Sequence, residues 1–129
     1  MSYSSAKRIT YTLGSITTTS GAATLAMRGP KGKSGRLVDV IARCTTTHVL
    51  GSTPTELQIG KSGALTAYGD FFPAAMTAPT ASTLTDLPGA SVLGTTVIPP
   101  DTVVLATTVA NATGSPAGVI TYDVVIDWF

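Results

Sequence analysis

Between Val119 and Phe129, the residues Ile120, Tyr122, Val124, Ile126 and Trp128 fill every even position, while Thr121, Asp123 and Asp127 fall among the odd ones. Side chains on a strand alternate between its two faces, so this spacing predicts a strand with one unbroken apolar face. The only tryptophan of the chain lies in that face. A strand at this position ties the end of the sequence into a sheet and does not leave it to fray.

The rest of the chain agrees with a sheet protein. Its 23 threonines favour strands, because β-branched side chains suit a pleated surface. Thirteen glycines and eight prolines punctuate it often, which leaves room for short strands and turns and little for long helices. At 129 residues it is most simply one domain, long enough to bury roughly two thirds of its unfolded surface. Strands are expected over Ile9–Leu13, Ala23–Met27, 36–44 with Val38, Val40, Ala42 and Cys44 inward, Glu56–Ile59, Val92–Val97, Val103–Val109 and the closing segment. Residues 60–91 read as one long irregular connection, with a short helical turn near Phe71–Met76. The fold class is all-β: a single-domain antiparallel β-sandwich of jelly-roll type over 9–129, preceded by a flexible arm over 1–8.

Charge is scarce. Only 12% of residues are Asp, Glu, Lys or Arg, about half the usual share. Two readings fit: a robust Thr-coated domain, or a surface largely covered in an assembly. The charges are also unevenly placed. Residues 1–43 hold Lys7, Arg8, Arg28, Lys31, Lys33, Arg36 and Arg43 against Asp39, whereas residues 44–129 hold Lys61 against Glu56, Asp70, Asp86, Asp101, Asp123 and Asp127. Such polarity could orient head-to-tail or lattice contacts, unless the two halves interleave and cancel in space.

Motifs for chemistry fail one by one. Gly32-Lys33-Ser34 and Gly60-Lys61-Ser62 lack the glycine five residues upstream that a phosphate loop needs; Met27 and Thr55 stand there. One histidine, His48, and one cysteine, Cys44, are too few for a zinc site, and no Asp-x-Asp calcium loop occurs. A nucleophile would need a base beside it, and Asp123 with Asp127 reads more simply as the solvent side of an edge strand than as a glycosidase pair. No catalytic residue, cofactor or metal is therefore expected. Cys44 reads as a buried, inert thiol, and no internal disulfide can form. The first residues lack the apolar core of a signal peptide, and no run reaches membrane-spanning length, so synthesis in the cytoplasm and no membrane partner are expected. Arg28, Lys31, Lys33 and Arg36 gather in a glycine-rich turn. That cluster could meet phosphates, but no aromatics are interleaved for base stacking, which favours an acidic protein surface over nucleic acid.

The runs Val97-Ile98-Pro99-Pro100-Asp101-Thr102-Val103-Val104, Ala110–Gly118 and Val124-Val125-Ile126-Asp127-Trp128-Phe129 carry a resemblance. They are similar to the C-terminal half of the capsid cement or decoration proteins of tailed bacteriophages, over roughly the last 35 residues. The resemblance implies a jelly-roll module on the capsid exterior that bridges neighbouring major capsid subunits, works as a homo-oligomer (dimer or trimer), and has no active site. It assigns no residue. From the residues themselves, the candidate contacts are Lys7, Arg8, Arg28, Lys31, Lys33 and Arg36, with Phe71 and Phe72 as anchors to the core or to a neighbouring subunit. A carbohydrate- or receptor-binding module of a tail or fibre is the alternative. The coat protein of a small RNA phage fits less well, because those chains finish in helices.

Overall fold

The computed structural model describes residues 7–20, 22–83 and 96–129. Eight strands form among them: β1 (Lys7–Thr17), β2 (Thr24–Met27), β3 (Gly35–Val49), β4 (Glu56–Lys61), β5 (Ala64–Phe71), β6 (Thr80–Thr83), β7 (Val104–Val109) and β8 (Ala117–Trp128). They make two four-stranded antiparallel sheets, ordered β1-β8-β3-β6 and β2-β7-β4-β5, which pack as a β-sandwich. The pairing is nested. β4 pairs with β5, β3 with β6, β2 with β7 and β1 with β8, as the arms of one long hairpin would, and successive pairs alternate between the sheets.

The expected closing strand is β8, and its register organises the first sheet. On the inner face Trp128 lies between Lys7 and Gly35, Ile126 between Ile9 and Leu37, Val124 between Tyr11 and Val40, Tyr122 between Leu13 and Ala42, and Ile120 between Ile16 and Cys44. All five even-numbered side chains of β8 from Ile120 to Trp128 are buried against Leu57, Ile59, Phe71, Val104 and Ala106 of the opposite sheet and its neighbours. Removing an apolar side chain of this size from water stabilises by about 1.5–3 kcal/mol, so this one strand is a major part of the core. On the outer face Asp127 lies between Arg8 and Arg36, and Asp123 between Thr12 and Ile41. These aspartates do face solvent, but β8 is a central strand and not an edge strand. It pairs with β1 along one side and with β3 along the other, so neither of its sides is left open.

Four further expectations are corrected. Between Leu37 and Asp39 the β3–β8 register shifts by one residue, so Leu37 is buried and Val38 only half-buried, the reverse of simple alternation from Val40. The Asp39 carboxylate accepts the Val40 N–H there at 2.8 Å, and an inserted residue of this kind flips the facing of what precedes it. The long connection does not begin at residue 60: β4 turns at Ser62-Gly63 into β5, with Gly63 at φ +83, a left-handed conformation that glycine accepts freely. Phe71–Met76 contains no helical turn; Phe71 ends β5, and Met76 exchanges backbone hydrogen bonds with His48 at 2.8 and 3.1 Å. Lastly, Lys7 and Arg8 belong to β1 and not to an arm; residues 1–6, like 92–95 of the expected strand Val92–Val97, lie outside the described residues.

Candidate functional site

Antiparallel topology sends the β2–β3 and β4–β5 connections, the approach to β7, the start of β1 and residue 129 to one end of the sandwich. Six of the candidate contacts meet there. Lys7 and Arg8 open β1, Arg28, Lys31 and Lys33 lie in the connection 28–34, and Arg36 opens β3. Lys61, beside the β4–β5 turn, adds a seventh cation at this end.

The connection 28–34 is held in place by aromatic and backbone contacts. The Trp128 Nε1–H donates to the Tyr11 hydroxyl at 3.0 Å, and that hydroxyl donates to the Arg28 carbonyl at 2.8 Å. Burial raises the Tyr11 pKa, and the hydrogen bond from Trp128 partly opposes this. Gly29 and Gly35 lie against the indole ring so closely that a Cβ on either would collide with it. Small residues at these two positions let the loop close over the tryptophan. Lys33 N–H donates to the Pro30 carbonyl at 3.1 Å, which makes the turn, and Gly32 sits at its tip with φ +75. The Gly32 N–H donates to the Asp101 carboxylate at 3.1 Å. Beyond the turn, Ser34 and Phe129 exchange two backbone bonds at 2.9 Å, and Gly35 and Ile98 two at 2.8 Å.

Electrostatics at this end are cationic but partly matched. Arg8 clasps Asp127 with two hydrogen bonds, 2.7 and 3.0 Å. That bond holds the Asp127 carboxyl below the usual carboxylate range and raises the Arg8 guanidinium. Arg36, on the other side of Asp127, stacks its guanidinium over the Phe129 ring, 5.2 Å from the centroid. One carboxylate thus stands between two arginines. Arg43 and Asp123 form a second cross-strand pair at 3.0 Å. Here the charge polarity of the sequence is folded together: cations of the first third meet acids of the last segment across β1, β8 and β3. Arg28, Gly29, Lys31, Asp101 and Thr102 line a shallow cavity of about 300 Å3 beside the turn. Val97 and Phe129, over 40% exposed, flank the same loop through the pairings at Gly35 and Ser34.

Phe71 and Phe72 are not part of this arrangement. Phe71 is fully buried opposite Leu57 and anchors β5 to the core, while Phe72 is 42% exposed at the opposite end of the sandwich. The residues that shape the cationic end, Tyr11, Trp128, Phe129 and Asp101, were not among the candidate contacts read from sequence. A solitary tryptophan at the end of an apolar strand face, and glycines on both sides of the basic turn, were the available signals. Cys44 is buried, with its thiol 2.9 Å from the Thr46 carbonyl. No protein-family model, curated protein or solved structure matches the chain.

Proposed function

We propose that this chain is a non-enzymatic virion structural protein: a jelly-roll cement or decoration protein that binds the outer surface of a phage capsid and bridges neighbouring major capsid subunits. The observation that carries the reading is the braced cationic end. Arg28, Lys31 and Lys33 are presented on a turn that Trp128 and Phe129 hold, with Arg36 beside it at the start of β3, and Ile126-Asp127-Trp128-Phe129 also belongs to one of the runs that bear the family resemblance. A fixed cationic surface of this kind attracts an acidic protein surface and loses little conformational freedom on docking. The nested strand pairs, alternating between two four-stranded sheets, support the jelly-roll assignment. His48, the only histidine, is locked inside by the Ala74 carbonyl and the Thr55 hydroxyl, which supports a binding role over acid–base catalysis. Tyr68, Phe71, Tyr122 and Trp128 are buried, which leaves few aromatic platforms for stacking on sugars.

Two linked measurements test this. Quantitative mass spectrometry of purified virions is expected to count hundreds of copies at a fixed ratio to the major capsid protein; a handful would move the chain to a tail or fibre, and absence would overturn the reading. Reversing Lys31, Lys33 and Arg36 to Glu is expected to weaken attachment to capsids by more than about tenfold in a chain that still folds, with a lowered Tm because Arg36 stacks on Phe129 beside Asp127; charge-mediated docking scales with the cations removed. Unaltered attachment would remove the cationic end from the contact.

A further inference from the structure

Arg28, Gly29, Lys31, Asp101 and Thr102 line one shallow cavity of about 300 Å3, between the basic turn and the corner that leads into β7. The arginines and lysines of this sheet sandwich are not equivalent. Arg8 and Arg43 are taken up by the two ion pairs among the described residues, with Asp127 and Asp123. Arg36 lies over the Phe129 ring. Arg28 and Lys31 form no ion pair among the described residues, and they are the two cations that border the cavity.

Both walls of this cavity are fixed before anything enters it. On the turn side, the Arg28 carbonyl accepts the Tyr11 hydroxyl at 2.8 Å, and Gly29 is pressed against the Trp128 indole. On the corner side, Asp101 holds a left-handed backbone at φ +61, a conformation that costs a residue other than glycine some energy and recurs at binding sites. Its carboxylate accepts the Gly32 N–H at 3.1 Å, which ties the corner to the tip of the turn. That bond also keeps a negative charge in the lining, where it limits what can enter.

Resting on the reading of this end as a docking surface, we propose that the cavity is a carboxylate-binding site, which takes the side chain of one Asp or Glu from the acidic protein surface that docks here. Two cations against one carboxylate leave the lining one positive charge in excess, which a single entering carboxylate neutralises. A phosphate dianion would press its second charge against Asp101. A guanidinium fork receives a carboxylate through two N–H donors, and the Lys31 ammonium and Thr102 hydroxyl are further donors in the lining. A phosphodiester also carries one charge, but nucleic acid gains from exposed rings on which bases stack. Trp128 is buried here, and Phe129 already stacks with Arg36.

Amide chemical shifts of the full isotope-labelled chain, titrated at constant ionic strength, test the site. The probe is acetyl-Gly-Glu-Gly-amide, which carries one carboxylate, with acetyl-Gly-Gln-Gly-amide as its neutral match. The glutamyl peptide is expected to give saturable shifts at Gly29, Lys31, Gly32 and Thr102, and the glutaminyl peptide none. Arg28→Gln and Lys31→Gln, at exposed positions, are each expected to weaken that binding by more than about fivefold. Lys61→Gln, also exposed at this end, is expected to weaken it by less than about twofold. Absence of saturable shifts overturns the proposal, and so does an equal loss from Lys61→Gln, which would show diffuse charge and no site. Tighter binding of inorganic phosphate or of oligothymidylate also overturns it, in favour of a phosphate group or nucleic acid. The titration needs no capsid, and the virion copy number does not depend on the cavity, so either reading can fail without the other.

Discussion

The two ends of this sandwich face the same task, which is to hold several connections from two sheets in one shape, and they solve it with different chemistry. The cationic end is braced by an indole, a tyrosine hydroxyl and a carboxylate acting on a glycine-rich turn. The opposite, neutral end, whose connections 18–23, 50–55, 72–79 and 110–116 contain no Asp, Glu, Lys or Arg, is braced by Asn111, which bonds Val49 and Gly51, by His48, which bonds Ala74 and Thr55, and by backbone pairing, with no ion pair among its described residues. The contrast shows how a protein poor in charge can still be specific. Cations are concentrated at one end and excluded from the described connections of the other.

The largest test of this contrast is Trp128→Ala. It removes a fully buried side chain and the lid under Gly29 and Gly35, and is expected to cost about 3–5 kcal/mol in urea unfolding. Because the Tyr11–Arg28 link depends on the same ring, amides of 28–34 are expected to exchange faster while those of 50–55 change less. Equal acceleration at both ends would show that the braces are not separate. His48→Ala is the matching test at the neutral end. It leaves the Ala74 carbonyl and Thr55 hydroxyl without their partner and opens space beside Gly118, for a loss of about 2–3 kcal/mol. Amides of 50–55 and 72–79 are expected to exchange faster, with those of 28–34 unaffected.

The smallest effect concerns pH. Burial, with a hydrogen bond and repulsion from Glu56, pushes the Asp70 carboxyl up to about 7. The folded protein then binds this proton more tightly than the unfolded chain, so its contribution is most favourable at low pH and is lost as pH rises from about 4 to about 7. Asp127, held below the usual range by Arg8, has the opposite sign and loses its contribution as pH falls through the acid range. Asp70→Asn is expected to flatten the fall in Tm between about pH 4 and 7 and to exceed wild type above it. An unchanged slope would assign the pH dependence to other groups.

Strict alternation made β8 legible from sequence, down to the face and the tryptophan it carries. It did not reveal that β8 lies between β1 and β3, because alternation records burial on one face and says nothing of edges. β5 was hidden for a local reason: Leu65 and Thr66 are exposed, and Gly69 stands on the inner face where the Phe71 ring fills the place of a side chain. The Leu37–Asp39 shift is set by pairing with β8 and leaves no local signature. At the site, the cationic cluster was visible, but its support was not, because the Trp128–Tyr11 bond joins residues 117 positions apart. The uncharged stretches can be read directly from the sequence; only strand direction shows that they meet at one end.

Hydrogen exchange of the full protein, free in solution and mixed with the capsids that the proposed function requires, tests the account most directly. Peptides covering 28–36 and 126–129 are expected to gain protection only on the particle. Those covering 48–55 and 72–79 are expected to exchange alike in both states. Protection gained by 48–55 and 72–79 alone, with 28–36 and 126–129 unchanged, would contradict the assignment of the contact to the cationic end.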